Sequence, residues 1–319
     1  MLGTHVAELS AAPLPELADV LPPWPGQTVT LASGEVFLRR TPTTAPDTEP
    51  ALYVHGLGGA ATNWTDLAAL LAGRVSGQAV DLPGFGQSPP PPRRDYSIRA
   101  RVRTVVELIE RGGAPVHLLG NSLGGLVSLI VAATRPELLR TLTLISPAVP
   151  GRRLPARSDP TLPLLLVPGL HRIAERRLMR MSPQERAHQV IELCFADPSR
   201  IPAQRLAEAT EEVARRQELP WVHDALTGSL RGLVAYYLRA GPQGPWRLAR
   251  SIDVPTLVIW GTEDRLVSVS LAPRLAKAIT GSRLLVLPGI GHTAQLEDPR
   301  TTARAVLALL DASARTTTR

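Results

Sequence analysis

Short apolar runs alternate with amphipathic segments along the first half of the chain, and this alternation restricts the fold more than any other feature. PALYVHG (50–56), PVHLLG (115–120) and LRTLTLISPA (139–148) predict strands that are buried on both faces, as in a parallel sheet. The segments NWTDLAALLAG (63–73) and SIRARVRTVVELIERGG (97–113) have the apolar spacing of helices. The alternation therefore predicts an α/β fold with a mostly parallel, doubly wound sheet that helices cover on both faces.

The alternation of strands and helices is interrupted once. After residue 149 the strand pattern disappears, and the longer segments that follow all have helical spacing. Strands return in DVPTLVIWG (253–261) and SRLLVLPG (282–289), each followed by a helical segment. We therefore predict an α/β domain that contains a large helical insertion. The predicted parts are an N-terminal extension (1–26), a core (27–149 and 251–319) and a helical cap, or lid (150–250).

The formal net charge of +7 does not indicate a nucleic-acid partner. Lys277 is the only lysine among the 35 basic residues, and most of the excess arginine lies in residues 151–250, interleaved with glutamate and leucine. Aromatic residues, which nucleic-acid sites combine with basic clusters, make up only 4% of the chain. Solvated helix faces account for this pattern, and we expect no nucleic-acid binding.

The chain carries few signals for membranes, disulfides or metals. No apolar run approaches the ~20 residues that a membrane span requires, so we expect no integral membrane segment. Cys194 is the only cysteine, which excludes an internal disulfide and a cysteine-based metal site. The first twenty residues lack the pattern of a secretory signal peptide. We expect a cytoplasmic protein in which Cys194 is a buried, inert thiol.

The stretch HLLGNSLGGLVSLIVAATRP (117–136) places one serine at the corner between a predicted strand and a predicted helix. Ser122 lies in a Gly-x-Ser-x-Gly pattern, which in this context is typical of a strained turn that exposes a nucleophile. Gly120 and Gly124 remove the Cβ atoms that would crowd such a turn. The N–H of Leu123, at the start of the helix, can stabilise a negatively charged oxygen. The alternative is a glycine-rich turn with an incidental serine.

A nucleophilic serine requires a base and a group that orients the base. His292 lies in a glycine-rich loop after the last predicted strand, and the loop after the preceding strand offers Glu263 and Asp264. These loops follow the carboxyl ends of strands, as Ser122 does, so the side chains can meet at one edge of the sheet. Five of the other six histidines lie in the N-terminal segment, in a strand or in the helical insertion: His5, His117, His171, His188 and His223; the sixth, His55, belongs to the glycine-rich loop considered next.

The loop YVHGLGGAATNW (53–64) follows another strand and is rich in glycine. Its backbone N–H groups can point at the reaction centre and complete an oxyanion hole with Leu123. The loop lacks both a Gly-x-Gly-x-x-Gly pattern and a Walker lysine, so it does not indicate a nucleotide site. We expect no cofactor and no metal.

Five motifs, in this order, resemble those of the α/β-hydrolase superfamily. They are HGLGG (55–59), DLPGFGQS (81–88), GNSLGG (120–125), GTED (261–264) and GIGHTAQLEDP (289–299). The resemblance implies that Ser122 is the nucleophile, Asp264 the acid and His292 the base. It also implies that the N–H groups of Leu57 and Leu123 form the oxyanion hole, and that the insertion at 150–250 is the family's helical cap.

The resemblance implies a serine hydrolase that cleaves a carboxylic ester of a small or medium apolar substrate through an acyl-enzyme intermediate. Gly-Asn-Ser-x-Gly-Gly is also common in relatives that cleave carbon–carbon bonds of ring-fission products. Those relatives usually carry tryptophan after the catalytic histidine, where this chain has Thr293. A ligand receptor with little turnover is the alternative from another class. The segment LPLLLVPGL (162–170) could line an acyl pocket, form a homodimer contact or pack within the cap.

Overall fold

A mixed sheet lies at the centre of the protein. The computed structural model describes residues 5–18, 21–151, 181–238 and 244–317. Within these residues the strands are β1 (His5–Val6), β2 (Gly26–Leu31), β3 (Gly34–Arg40), β4 (Glu49–Val54), β5 (Val75–Asp81), β6 (Val116–Asn121), β7 (Leu139–Ile145), β8 (Thr256–Gly261) and β9 (Arg283–Leu287). They form a sheet in the order β1-β9-β8-β7-β6-β4-β5-β3-β2. The two pairings of β3 are antiparallel and all others are parallel, which confirms the predicted mostly parallel sheet.

Helices connect the parallel strands and cover both faces of the sheet. The described helices are α1 (Thr65–Leu71), α2 (Ile98–Gly112), α3 (Leu123–Thr134), α4 (Pro183–Cys194), α5 (Ala203–Gln217), α6 (Val222–Tyr237), α7 (Pro245–Ala249), α8 (Leu271–Ala278), α9 (Ala294–Glu297) and α10 (Pro299–Thr317). Successive side chains of a strand point to opposite faces, so each central strand contributes to two apolar cores. In β6, Leu118 packs in the core with α2 and α3, whereas Leu119 packs in the core with α1 and α10. This double burial explains the uninterrupted apolar runs in the sequence.

The described residues between β7 and β8 contain the four helices α4 to α7 and no strand. Ser182 caps α4, because its hydroxyl accepts from the Glu185 N–H (3.2 Å) while the Glu185 carboxylate accepts from the Ser182 N–H (2.8 Å). The buried Arg205 of α5 forms an ion pair of 2.6 Å with Asp66 of α1, and so anchors α5 to the core. The segment 162–170 and His171 lie outside the described residues, and the division of the chain into core and cap remains a prediction.

Two local features of the structure differ from the prediction. The helix predicted to begin at Asn63 begins at Thr65, because residues 61–64 form a 3-10 turn in which Asn63 Oδ1 accepts from the Ala60 N–H at 2.9 Å. The exposed edge strand β1, in which His5 pairs with Arg283, is not predicted from the sequence. No helix in the described parts of the chain combines the length and apolarity that crossing a bilayer requires.

Candidate active site

Ser122 occupies a sharp turn between β6 and α3. Its backbone has φ 54° and ψ −117°, a conformation that is strained for any residue with a side chain. The surrounding backbone stabilises this turn: the Ser122 N–H donates to the Ile145 carbonyl at 3.0 Å, and the Ser122 carbonyl accepts from Leu126 (3.0 Å) and Ala148 (2.8 Å). The turn therefore holds the serine at the carboxyl end of β6, above the start of α3.

Glycines on both sides of Ser122 make the turn possible. A Cβ at Gly120 would lie 2.5 Å from the Gly124 carbonyl oxygen and from the Ser128 hydroxyl. A Cβ at Gly124 would overlap the carbonyl oxygen of Val54 at the end of β4. The two glycines thus allow α3 to pack closely against β6 and β4, as the motif predicts.

Asp264 and His292 form a buried pair at the same edge of the sheet. His292 Nδ1 lies 2.9 Å from Oδ2 and 3.0 Å from Oδ1 of Asp264. The N–H groups of Leu266 and Val267 also donate to Oδ1, each at 2.9 Å, and hold the carboxylate in place. Because a carboxylate accepts hydrogen bonds, the neutral tautomer that fits this contact has its proton on Nδ1 and uses Nε2 as the acceptor. Glu263, the other acidic residue of this loop, is exposed to solvent.

The loop that carries His292 is held by two residues whose contacts sequence reasoning missed. The Asn121 amide donates to the carbonyl oxygens of Ile145 and His292, each at 3.1 Å, and so joins the serine turn to the histidine loop. The Glu297 side chain is 0% exposed and accepts from the N–H groups of Gly291 (2.7 Å) and Asp197 (3.0 Å). In the sequence, Asn121 directly precedes Ser122, and Glu297 lies five residues after His292. This proximity to the predicted catalytic residues is the sequence signal by which the two residues could have been found.

Cys194 contributes its backbone to the same region. The His292 N–H donates to the Cys194 carbonyl at 2.7 Å. Burial raises the pKa of the Cys194 thiol to about 12, so the thiol stays protonated at neutral pH and is a poor nucleophile. In the described parts of the chain, no group of three or more histidine, cysteine or acidic side chains is arranged to hold a metal ion.

The turn Gly56–Gly59 lies beside Ser122. The Gly59 N–H donates to the Gly56 carbonyl at 3.1 Å, and Gly58 has φ +71°, as in a type II turn. This bond does not involve the N–H of Leu57. A Cβ at Gly56 would lie 3.0 Å from the Cβ of Ser122, which shows how closely the turn approaches the serine.

The second predicted donor, Leu123, is the first residue of α3. The first N–H groups of a helix have no partner within that helix, so the Leu123 N–H can bind another group. It follows Ser122 directly in the chain, and the turn of Leu57 approaches Ser122 from β4. The two predicted oxyanion donors therefore lie near one side chain.

Two buried residues of the sequence motifs bind main-chain groups in this turn and near it. His55 Nε2 accepts from the Leu82 N–H (2.9 Å), so Nδ1 carries the proton and donates to the Gly56 carbonyl (2.7 Å). Burial, aided by the charges of Arg216 and Arg101, lowers the pKa of His55 to about 3, and the ring is neutral. Asp81 accepts from the N–H groups of Ala61 (2.6 Å) and Gln87 (2.8 Å). Both side chains hold main-chain groups in place, and neither is a member of the predicted triad.

Known proteins resemble this chain in sequence and in fold. The family model of the alpha/beta hydrolase fold matches residues 50–299. Human monoacylglycerol lipase ABHD6 is 27% identical over 265 residues, covering 81% of this chain and 74% of the relative. Lipase 3 of Moraxella sp. (strain TA144) is 26% identical over 295 residues, covering 89% of this chain and 84% of the relative.

A solved structure with a similar fold is the meta-cleavage product hydrolase CumD from Pseudomonas fluorescens IP01. Its TM-score is 0.71 at 20% identity, with 90% of this chain and 98% of that chain covered. This likeness concerns the fold alone. The match of the family model spans most of the chain, including the serine turn, the acid loop and the histidine loop. The chain belongs to the α/β-hydrolase fold family.

Proposed function

We propose that the protein is a serine hydrolase that cleaves carboxylic esters of small or medium apolar substrates, with Ser122, Asp264 and His292 as its triad. The observation that carries this proposal is the buried Asp264–His292 pair at 2.9 Å, at the edge of the sheet where the strained Ser122 turn lies. In the proposal, residues 150–250 form the cap over a site for a small-molecule substrate.

In the proposed reaction two protons pass through His292 in turn, one from Ser122 and one from water. Nε2 takes the proton of the Ser122 hydroxyl as the oxygen attacks the ester carbonyl carbon, and Asp264 stabilises the imidazolium. The N–H groups of Leu57 and Leu123 bind the oxyanion of the tetrahedral intermediate. When the ester bond breaks, His292 returns the proton to the departing alkoxide and an acyl-enzyme remains. Water, deprotonated by His292, then attacks the acyl carbonyl carbon; the bond to the Ser122 oxygen breaks, His292 returns the proton to that oxygen, and the acid is released.

The relatives support an ester as the bond that is cleaved. Both the human protein and the Moraxella protein are named lipases, and in each case the similarity covers more than four fifths of this chain. An ester hydrolase needs the nucleophile, the base and the oxyanion donors, and residues suited to each role lie at one edge of this sheet.

A carbon–carbon hydrolase is the second candidate, and Asn121 in the serine turn favours it. In the structure, however, the Asn121 amide donates to two backbone carbonyls, a role that does not depend on the substrate. Thr293 also replaces the tryptophan expected for that branch. These two observations favour the ester hydrolase.

The test combines covalent labelling with a substrate series. We expect the protein to react with a fluorophosphonate probe and to hydrolyse p-nitrophenyl esters, and we expect Ser122→Ala to do neither. Labelling that persists in Ser122→Ala would contradict the assignment of the nucleophile. A strong preference for a vinylogous diketo acid would favour the carbon–carbon hydrolase, and tight ligand binding without product release would favour a receptor.

A further inference from the structure

Arg216 of α5 reaches from the cap to the turn that carries Leu57. Its guanidinium donates through Nη1 to the carbonyl oxygen of Gly58 and through Nη2 to that of Gly59, the latter at 2.9 Å. Its Nε donates to the Glu212 carboxylate at 2.7 Å, which fixes the orientation of the planar group. The side chain is only 17% exposed, so solvent does not replace these bonds easily.

The contact with the Gly58 carbonyl lies at the end of a chain of hydrogen bonds that leads to Leu57. In a trans peptide group the carbonyl and the N–H point in opposite directions. Arg216 holds the Gly58 carbonyl, and the N–H of that same peptide group, from Gly59, donates to the Gly56 carbonyl at 3.1 Å. The N–H opposite the Gly56 carbonyl is that of Leu57, the predicted oxyanion donor.

The chain of bonds acts in two ways on the Leu57 N–H. It fixes the orientation of the Gly58–Gly59 peptide group and, together with His55, that of the Gly56–Leu57 peptide group, in a turn whose three glycines make it easy to distort. It also polarises them, because hydrogen-bonded groups in series strengthen one another and the first acceptor is bound to a cation. Both effects increase the attraction of the Leu57 N–H for a negatively charged oxygen.

We propose that Arg216 is a positioning residue for the oxyanion hole: it acts through the Gly58 and Gly56 peptide groups on the Leu57 N–H. This inference rests on the proposed function, because it requires an oxyanion beside Ser122. The oxyanion forms in the transition state, so the contribution of Arg216 falls on kcat and leaves KM nearly unchanged. Because Arg216 lies on α5, the geometry of the oxyanion hole also depends on how α5 packs against the turn Gly56–Gly59.

The structure supplies a matched control on the same helix. Arg215 also pairs with Glu212 and also donates to a backbone carbonyl of the core, that of Gly86, at 3.0 Å. Gly86 lies outside the turn Gly56–Gly59. The helix itself is anchored independently by the ion pair of Arg205 with Asp66. Replacing either arginine by glutamine therefore removes the same charge from the same helix, and only one replacement affects the turn.

The experiment compares Arg216→Gln, Arg216→Lys and Arg215→Gln with the parent protein on one p-nitrophenyl ester. We expect Arg216→Gln to lower kcat about 10- to 100-fold and to change KM less than about 2-fold. This decrease in kcat is no larger than the decrease caused by removing an entire oxyanion donor. Arg216→Lys keeps the charge and can hold one carbonyl, so it recovers part of the loss. Arg215→Gln remains close to the parent.

A transition-state analogue separates this role from a general structural one. A trifluoromethyl ketone adds to the serine oxygen and leaves an oxyanion in the hole, so its affinity should fall in Arg216→Gln by the same factor as kcat/KM. The thermal unfolding midpoints of the two glutamine variants should agree. An unchanged kcat in Arg216→Gln, or an equal loss in Arg215→Gln, overturns the inference. If the parent protein neither hydrolyses esters nor reacts with a fluorophosphonate, the proposed function fails and this inference fails with it.

Discussion

The amide nitrogen of Asn121 lies 3.1 Å from the carbonyl oxygen of His292, and this hydrogen bond joins the turn of the proposed nucleophile to the loop of the proposed base. The same nitrogen lies 3.1 Å from the carbonyl oxygen of Ile145, at the end of β7. One buried side chain thus fixes three neighbouring segments at the carboxyl edge of the sheet. The asparagine side chain bridges these segments by hydrogen bonds, which explains its position directly before Ser122.

Replacing Asn121 by alanine should separate this structural role from a role in substrate choice. The variant removes the side-chain donor of the buried His292 carbonyl and one of the two donors of the Ile145 carbonyl, so we expect the free energy of unfolding to fall by about 1–3 kcal/mol. We expect ester hydrolysis to fall as well, because His292 is less firmly placed. The ratio of activities on a p-nitrophenyl ester and a vinylogous diketo acid should stay the same. A large shift of that ratio would show that Asn121 contacts the substrate.

Replacing Glu297 by glutamine should loosen the histidine loop. The carboxylate accepts from the N–H groups of Gly291, Ala196 and Asp197, and a glutamine would turn an NH2 group toward at least one of them. We expect a loss of about 1–3 kcal/mol of unfolding free energy in urea titrations, together with a lower kcat. Glu192→Gln, at an exposed site on α4, is the control and should match the parent. Equal stability of the two variants would contradict the assigned role of Glu297.

The parallel strands β4 and β6 to β9, the serine turn and the three triad candidates were predicted from the sequence because each depends on local pattern. Apolar runs, glycine spacing and the order of motifs are visible in neighbouring residues. The contacts of Arg216 with Gly58 and of Asn121 with His292 join residues 158 and 171 positions apart, and nothing in a local pattern specifies them. The burial of Asp264 and the exposure of Glu263 likewise needed the structure, since they depend on how the loop packs.

His55 should make the protein less stable in acid. Burial lowers its pKa in the folded protein to about 3, whereas the unfolded chain has the ordinary value near 6.5. Below pH 6.5 the unfolded chain binds a proton that the folded protein does not bind until the pH nears 3. The free energy of unfolding therefore falls by up to about 1.4 kcal/mol per pH unit across that interval, on account of this one group.

The measurement for His55 is a set of urea titrations between pH 7 and pH 4. His55→Gln lacks the titrating ring, so its stability should fall less steeply with decreasing pH than that of the parent, whatever its stability at pH 7. His188→Gln changes an exposed histidine on α4 and serves as the control. Identical slopes for the parent and His55→Gln would show that His55 does not contribute to the loss of stability in acid.

Alanine at position 124 should test how closely the serine turn is packed. A methyl group at Gly124 would overlap the carbonyl oxygen of Val54 and lie 2.5 Å from that of His55, and neither backbone group can move without shifting β4 or the turn after it. We expect Gly124→Ala to lower the free energy of unfolding by about 1–3 kcal/mol, as other overpacked substitutions do. Because the displaced backbone leads into the turn of Leu57, ester hydrolysis should fall further than stability alone explains.

Gly112, the last residue of α2, is the matched control, because a methyl group there would meet no atom within 4 Å. Gly112→Ala should leave activity unchanged and be neutral or stabilising by up to about 1 kcal/mol; similar effects of the two substitutions on activity would mean that the close approach of α3 to β4 is not required for the site.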